Sequence, residues 1–238
     1  MIAFASRTPR ETKPFLSHLA RFSREGMLVE RWTRHPGGNH PDGWGAAWRA
    51  GGRTNLVRGA LPAWEDPRLA EAEAGTCRFV GHVRFASNRA SVSAENAHPF
   101  LLGDVALAHN GTFYGEIGDE GDERGVSDSF VFLERLARRW GSGGIDELAA
   151  LLGEILADRE VVGEYTAANL LILRGDDLFA FRHSRKDEGY YSLYLREEEG
   201  GAVVASEPLD GDGWIPLRDG ELVEISAPAL PREMLYLP

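Results

Sequence analysis

In the stretch GHVRFAS, His82 and Arg84 stand two residues apart, so an extended strand puts both on one face and Val83 and Phe85 on the other. An arginine held in that way can clamp a carboxylate through two parallel hydrogen bonds, which a lysine cannot reproduce. The alternative for the same residues is a cross-strand salt bridge on a solvent face. AHNG follows the apolar run 105–108. Asn-Gly after a strand is first a hairpin turn. It is also a pair of donors, the side-chain amide of Asn110 and the backbone N–H of Gly111, that could stabilise negative charge on a tetrahedral intermediate. In VSDSFVFLERL, Ser127 or Asp128 begins a helix as its N-cap, and an aspartate there could also receive an ammonium.

Two further stretches belong with these. HPDGWGAAW turns at Asp42 and Gly43, then runs through Trp44 and small residues beginning with Gly45. Small residues in a strand admit a ligand or a neighbouring backbone at short range. ENAHPF adds Asn96 and His98, the latter either a catalyst or a hydrogen-bonded structural histidine. His40, His82, His98 and His109 all lie in this region, yet no two have the spacing of a compact ligand pair, and no metal site is expected.

The elements that must position these groups are mostly strands: IAFAS, GWGAAW, TNLVRG, CRFVGHVRFAS, VALAHNG, AANLLILRG, DLFAFRH, YYSLYLR, AVVAS and ELVEIS. Gly51-Gly52, Asp176-Asp177 and Asp219-Gly220 read as tight turns of hairpins, hence antiparallel pairing. Helical spacing appears over 14–27, 128–140 and Ile145–Ala157. The acidic, Gly-rich segment 115–128 reads as a mobile loop beside a site. Runs such as Leu170 to Leu173 are apolar on both faces, as in a sheet covered by a second sheet on one side and helices on the other. The pattern is α+β, with stacked antiparallel sheets and helices outside.

With 238 residues, 43% of them hydrophobic, the chain can form one large domain, 1–238. A net charge of -11 excludes nucleic acid and membrane surfaces as main partners and favours a small molecule or another protein. No apolar stretch reaches membrane-spanning length and no signal core precedes Arg7 and Arg10, so the cytoplasm is the expected location. Cys77 is the one cysteine, which excludes an internal disulfide and a thiolate zinc site.

The succession H-x-DGWG, H-x-R-x-AS, N-x-HPF, HNG and SDS before an apolar helix resembles the class-II glutamine amidotransferases, and among them the small stand-alone type. The resemblance is strong over 40–136, and ASEPLDGDGWIPLRDGELVEI is similar to the family's closing strands. It implies an N-terminal-nucleophile hydrolase fold, a four-layer α-β-β-α sandwich without a cofactor. By position, Arg84 would hold the α-carboxylate of glutamine and Asp128 its α-amino group. Asn110 and Gly111 would form the oxyanion hole; Gly43, Trp44 and Gly45 would line the pocket, with His82 and His98 beside the ligand. A separate synthase or acceptor protein would be the partner.

The family's nucleophile is an N-terminal cysteine exposed by removal of Met, whose amine and thiol supply base and nucleophile together. Here Ile2 or Met1 stands in its place, and a bulky second residue disfavours that removal. Cys77 lies seven residues from Arg84, on the opposite strand face and roughly 23 Å along, out of reach of the same substrate. Ser6 or Thr8 would need self-cleavage of the chain, and Ser87 and Thr112 have no evident base. Three readings follow: a catalytically degenerate protein that binds glutamine or a γ-glutamyl compound, an active amidohydrolase with an altered start, or a structural or partner-binding protein with a closed pocket.

Overall fold

The computed structural model describes residues 1–26, 39–141, 144–225 and 232–237. Strand β1 (Ile2–Glu11) runs through the middle of a seven-stranded sheet with β2 (Trp44–Ala50), β3 (Arg53–Gly59), β4 (Gly75–Val83), β9 (Tyr194–Glu198), β10 (Gly201–Ala205) and β11 (Ile215–Pro216), in the order β11-β9-β10-β1-β4-β2-β3. A six-stranded sheet contains β5 (Phe100–Leu102), β6 (Val105–Asn110), β7 (Asn169–Arg174), β8 (Asp177–Arg182), β12 (Glu221–Glu224) and β13 (Arg232–Met234), ordered β13-β12-β8-β7-β6-β5. Every pairing between these strands is antiparallel.

Side-chain alternation divides the interior into three apolar layers. Ile2, Phe4, Phe79 and Val83 face away from the second sheet and pack on Phe15, Leu16 and Leu19 of helix α1 (Lys13–Glu25). The opposite faces of the same strands, Ala3, Ala5 and Val80, meet Ala106, Ala108, Leu171 and Leu173 between the sheets. So many alanines at this contact let the two backbones approach closely without a void. On the far side, Leu107, Leu170, Ile172 and Phe179 pack on four helices: α2 (Gly115–Arg124), α3 (Asp128–Arg139), α4 (Ile145–Ala157) and the single turn α5 (Arg159–Val162). Leu170 to Leu173 thus bury both faces, as their composition requires.

Several elements depart from the sequence reading. Segment 115–128 is not a loop: α2 occupies most of it, seated by fully buried Ile117 and ended by left-handed Gly125. The β7–β8 hairpin turns on Gly175-Asp176, since Arg174 pairs with Asp177. Asp219-Gly220 joins no hairpin; it carries the chain from β11 in one sheet to β12 in the other. β4 stops at Val83, so Arg84 stands just past the strand, and Tyr190 and Tyr191 form a turn before β9. The helix expected over 14–27 ends at Glu25, and Met27 lies outside the described residues.

Candidate functional site

The ends of β4 and β6 face each other across the gap between the sheets. His82 continues the inward face of Val80, and Asn110 continues that of Ala106 and Ala108. His82 Nε2 lies 2.9 Å from Asn110 Oδ1, a hydrogen bond that bridges the two sheets. An amide oxygen only accepts, so Nε2 carries the proton, and the Asn110 NH2 is turned away from His82. Burial holds the His82 pKa well below its ordinary value, so the ring is neutral. His82 therefore orients the amide of Asn110.

Gly111 follows with φ 145°, and a Cβ there would come within 1.9 Å of the Ala167 carbonyl oxygen. Only glycine fits, and the Asn-Gly pair is not a hairpin, because β6 pairs with β5 and β7 and the chain then enters α2. His109, on the opposite face of β6, places Nε2 3.0 Å from Ala167 O and Nδ1 2.8 Å from Ser129 Oγ. With Nε2–H donated to that carbonyl, Nδ1 accepts the Ser129 hydroxyl proton and ties β6 to α3.

Ser127 is the N-cap of α3 and Asp128 its first helical residue. Asn96 fixes this corner by accepting from Ser127 N (3.0 Å) and donating to Gly125 O (3.3 Å). Asp128 Oδ2 accepts from Phe113 N at 2.7 Å, and Oδ1 accepts from the Ser127 hydroxyl at 2.9 Å. Ser129 Oγ lies 3.3 Å from Oδ1 as well, but Oδ2 retains a lone pair for a further donor, so the cap does not exhaust the group.

Arg84 is 7% exposed; its guanidinium donates to Ser91 O (3.1 Å) and Ser91 Oγ (2.9 Å). Burial pulls its pKa down, while Asp42 and Asp128 favour the cation. Gly43 anchors it from behind, accepting from Arg84 N at 2.8 Å in a backbone conformation (φ 113°) that suits glycine. Trp44 is buried, with its Nε1 on Asp66 Oδ2 at 2.9 Å, and a Cβ on Gly45 would strike His98 O at 2.5 Å. Gly43, Trp44 and Gly45 thus stand behind the cavity wall, where they brace Arg84 and make room for His98.

Arg84, Asp128, Asn110, Gly111, His82 and His98 line one cavity of about 230 Å³, closed on its apolar side by Val83, Phe85, Tyr190 and Tyr191. That is small beside the roughly 300–1,000 Å³ of drug-sized pockets and suits a ligand of amino-acid size. Sequence reasoning missed the two tyrosines because their approach depends on a turn distant in the chain. It also missed Ser91 and the bond from His40 Nε2 to Tyr190 OH (3.3 Å).

His98 donates from Nδ1 to His109 O at 3.0 Å, and its ring lies 4.6 Å from that of His82. Burial lowers the pKa of all three imidazoles, His82, His98 and His109. Arg84 and Asp128 then stand as cation and anion beside these three neutral rings. Because the folded pKa lies below the unfolded value near 6.5, the unfolded chain takes up protons first, and stability is lost as pH falls through that value. The urea midpoint is expected to fall between pH 7.5 and 5.5, with the unfolding free energy dropping by up to ~1.4 kcal/mol per pH unit for each imidazole kept neutral. A flat midpoint across that interval would contradict this assignment.

Met1 and Ile2 part company at the chain's start. Ile2 points into the layer under α1, whereas Met1 lies in the layer between the sheets. The Met1 amine donates to Ser206 Oγ at 2.9 Å, and burial lowers its pKa to about 6 against the opposing pull of Glu207. A second cavity contains Met1, Ser206 and Asn110 together. Met1, with its amine and inward side chain, thus lies beside Asn110. Cys77, half-buried near the start of β4, lies far from this place. Among the described residues no group of three or more His, Cys, Asp and Glu side chains could hold a metal ion. No helix among them is long and apolar enough to cross a membrane.

Two stacked antiparallel sheets between helical layers, with the site where inward strands end beside the first residue, define the N-terminal-nucleophile-hydrolase type of α-β-β-α sandwich. The pattern of the class-II glutamine amidotransferases matches residues 27–197, and the chain belongs to that family. A class-II domain protein of Silicibacter pomeroyi, described as a glutamine aminotransferase, superposes with a TM-score of 0.62 at 21% identity, covering 99% of this chain and 98% of that one. Glutamine phosphoribosylpyrophosphate amidotransferase from B. subtilis gives 0.67 at 18% identity over 100% of this chain and 49% of that one. At such identities the likeness speaks to fold alone. An uncharacterized protein of Methanocaldococcus jannaschii is 29% identical over 230 residues; the match covers 80% of this chain and 62% of that protein's length.

Proposed function

We propose that this chain binds the amino-acid head of glutamine or of a γ-glutamyl compound and, in its present form, does not hydrolyse it. The observation that carries the reading is the pairing of buried Arg84 with Asp128 in a small cavity where His82, His98 and His109 are neutral. An α-amino acid presents a carboxylate and an ammonium on one carbon, and Arg84 and Asp128 answer them in kind. Asn110 NH2 and Gly111 N–H would receive the side-chain carbonyl oxygen. Turnover needs a nucleophile at that carbon, and the chain's single thiol, Cys77, is not among the cavity residues.

A second reading, an active amidohydrolase with a different first residue, is favoured by the placement of Met1 beside Asn110. Calorimetric titration with L-glutamine, paired with an ammonia-release assay on the same sample, decides between them. Saturable binding without ammonia release is the expected result. Release at enzymatic rates would establish the second reading, and absence of binding by L-glutamine and by γ-glutamyl amides alike would overturn both.

A further inference from the structure

The cavity lined by Met1 adjoins the first as a side chamber, and Asn110 lines both. Four residues, His40, Val83, Asn110 and Tyr190, line both spaces. Beyond them the side chamber is walled by Ile2, Leu19, Phe22 and Ala205, with Ser206 and Glu207 at its polar end. Leu19 and Phe22 come from α1, which otherwise takes no part in the site.

The direction of the chamber assigns its content. With the amino-acid head at Arg84 and Asp128 and the side-chain carbonyl at Asn110 and Gly111, the group on the far side of that carbonyl is the amide nitrogen with whatever it carries. Glutamine would place only an NH2 there, against largely apolar walls. The chamber measures about 50 Å³, whereas one water needs roughly 10–15 Å³ by the same measure. That admits a few heavy atoms beyond the nitrogen and excludes an aromatic ring or a second peptide residue.

Resting on the binding reading above, we propose that the side chamber receives the amide-nitrogen substituent of a γ-glutamyl alkylamide, an apolar group of about two or three carbons. The preferred ligand class is then a γ-glutamyl derivative of a short alkylamine, with glutamine its weaker relative. Burying each methylene against Leu19, Phe22 and Ala205 contributes about a fourfold gain in affinity.

The test is a calorimetric series on the full chain with L-glutamine, γ-glutamylmethylamide, γ-glutamylethylamide and γ-glutamylanilide. Affinity is expected to rise from glutamine through methylamide to ethylamide, by about 16-fold in total, and to fall for the anilide. Phe22, half-buried on α1, supplies a variant that leaves the inner core in place. Phe22→Trp is expected to bring the ratio of ethylamide to glutamine affinity toward one, and Phe22→Ala to move the optimum to a longer alkyl group. Glutamine binding with no gain for the ethylamide overturns the side-chamber assignment and leaves the head-group reading intact. Failure of every compound to bind overturns both. A gain that persists unchanged in both Phe22 variants also overturns the assignment, because the substituent then lies elsewhere.

Discussion

Replacing Arg84 with alanine is expected to weaken L-glutamine binding by at least about 30-fold. Truncating one partner of a buried, hydrogen-bonded charge pair costs roughly 2–5 kcal/mol, because the other charge is left unpaired in a poorly solvated place. Arg84 is 7% exposed, and among the described residues its cavity contains no second cation that could take over the carboxylate. Lysine would keep the charge but lose the fork that serves Ser91 and the ligand together, so Arg84→Lys is expected to fall between the two. The guanidinium also holds the Ser91 turn, and a thermal melt of each variant separates loss of fold from loss of binding. Chemical deletion on the ligand gives a sharper control. 4-Aminobutyramide lacks the α-carboxylate, so wild type should bind it about as weakly as Arg84→Ala binds glutamine. The variant should lose little more when both deletions are combined. Additive losses would mean that Arg84 and the carboxylate do not meet.

The sequence revealed those parts of the site whose signal is local and concealed those that depend on approach. Leu170 to Leu173 announce a strand covered on both faces by composition alone. Arg84, Asn110 and Asp128 could be singled out because their types suit one kind of ligand and each follows or begins a recognisable element. Segment 115–128 misleads because Ile117 is nearly its only apolar residue in the helix; α2 is stabilised by the neighbours it packs on, which no local window shows. Asn110-Gly111 reads as a hairpin until the Ala167 carbonyl, far along the chain, is seen to demand a glycine. Gly43, Trp44 and Gly45 were legible as a motif but not as to role: a small residue admits close approach equally to a ligand and to protein, and here the neighbour is His98 O. His82 shows the same limit, since its face was evident but the amide across the sheets that it orients was not.

Placing a cysteine as the first residue, Met1→Cys exposed by cleavage of a removable leader, is expected to yield a protein that releases ammonia from glutamine. On the proposed reading, the other catalytic requirements are met by groups beside Met1. The α-amine is buried, held by Ser206 at 2.9 Å, and has its pKa lowered to about 6, so at pH 7 it is mostly neutral and able to accept a thiol proton. Asn110 lies in the same chamber with its NH2 turned away from His82, and Gly111 fixes the turn beside it. The missing component is a soft nucleophile on the inward side of β1, and Met1 already occupies that side, so cysteine alters the reactive atom and little else. Ammonia release should rise by at least about 1,000-fold over the parent chain, roughly what nucleophile and positioned base supply together. Adding Asn110→Ala to the Met1→Cys variant should then remove about 100-fold of that rate or more, the usual weight of one oxyanion donor. A folded Met1→Cys protein that binds glutamine and releases no ammonia would show that the Asn110–Gly111 donors do not face the carbonyl. Activity conferred by cysteine and lost with Asn110 would instead trace the proposed absence of turnover to the first side chain.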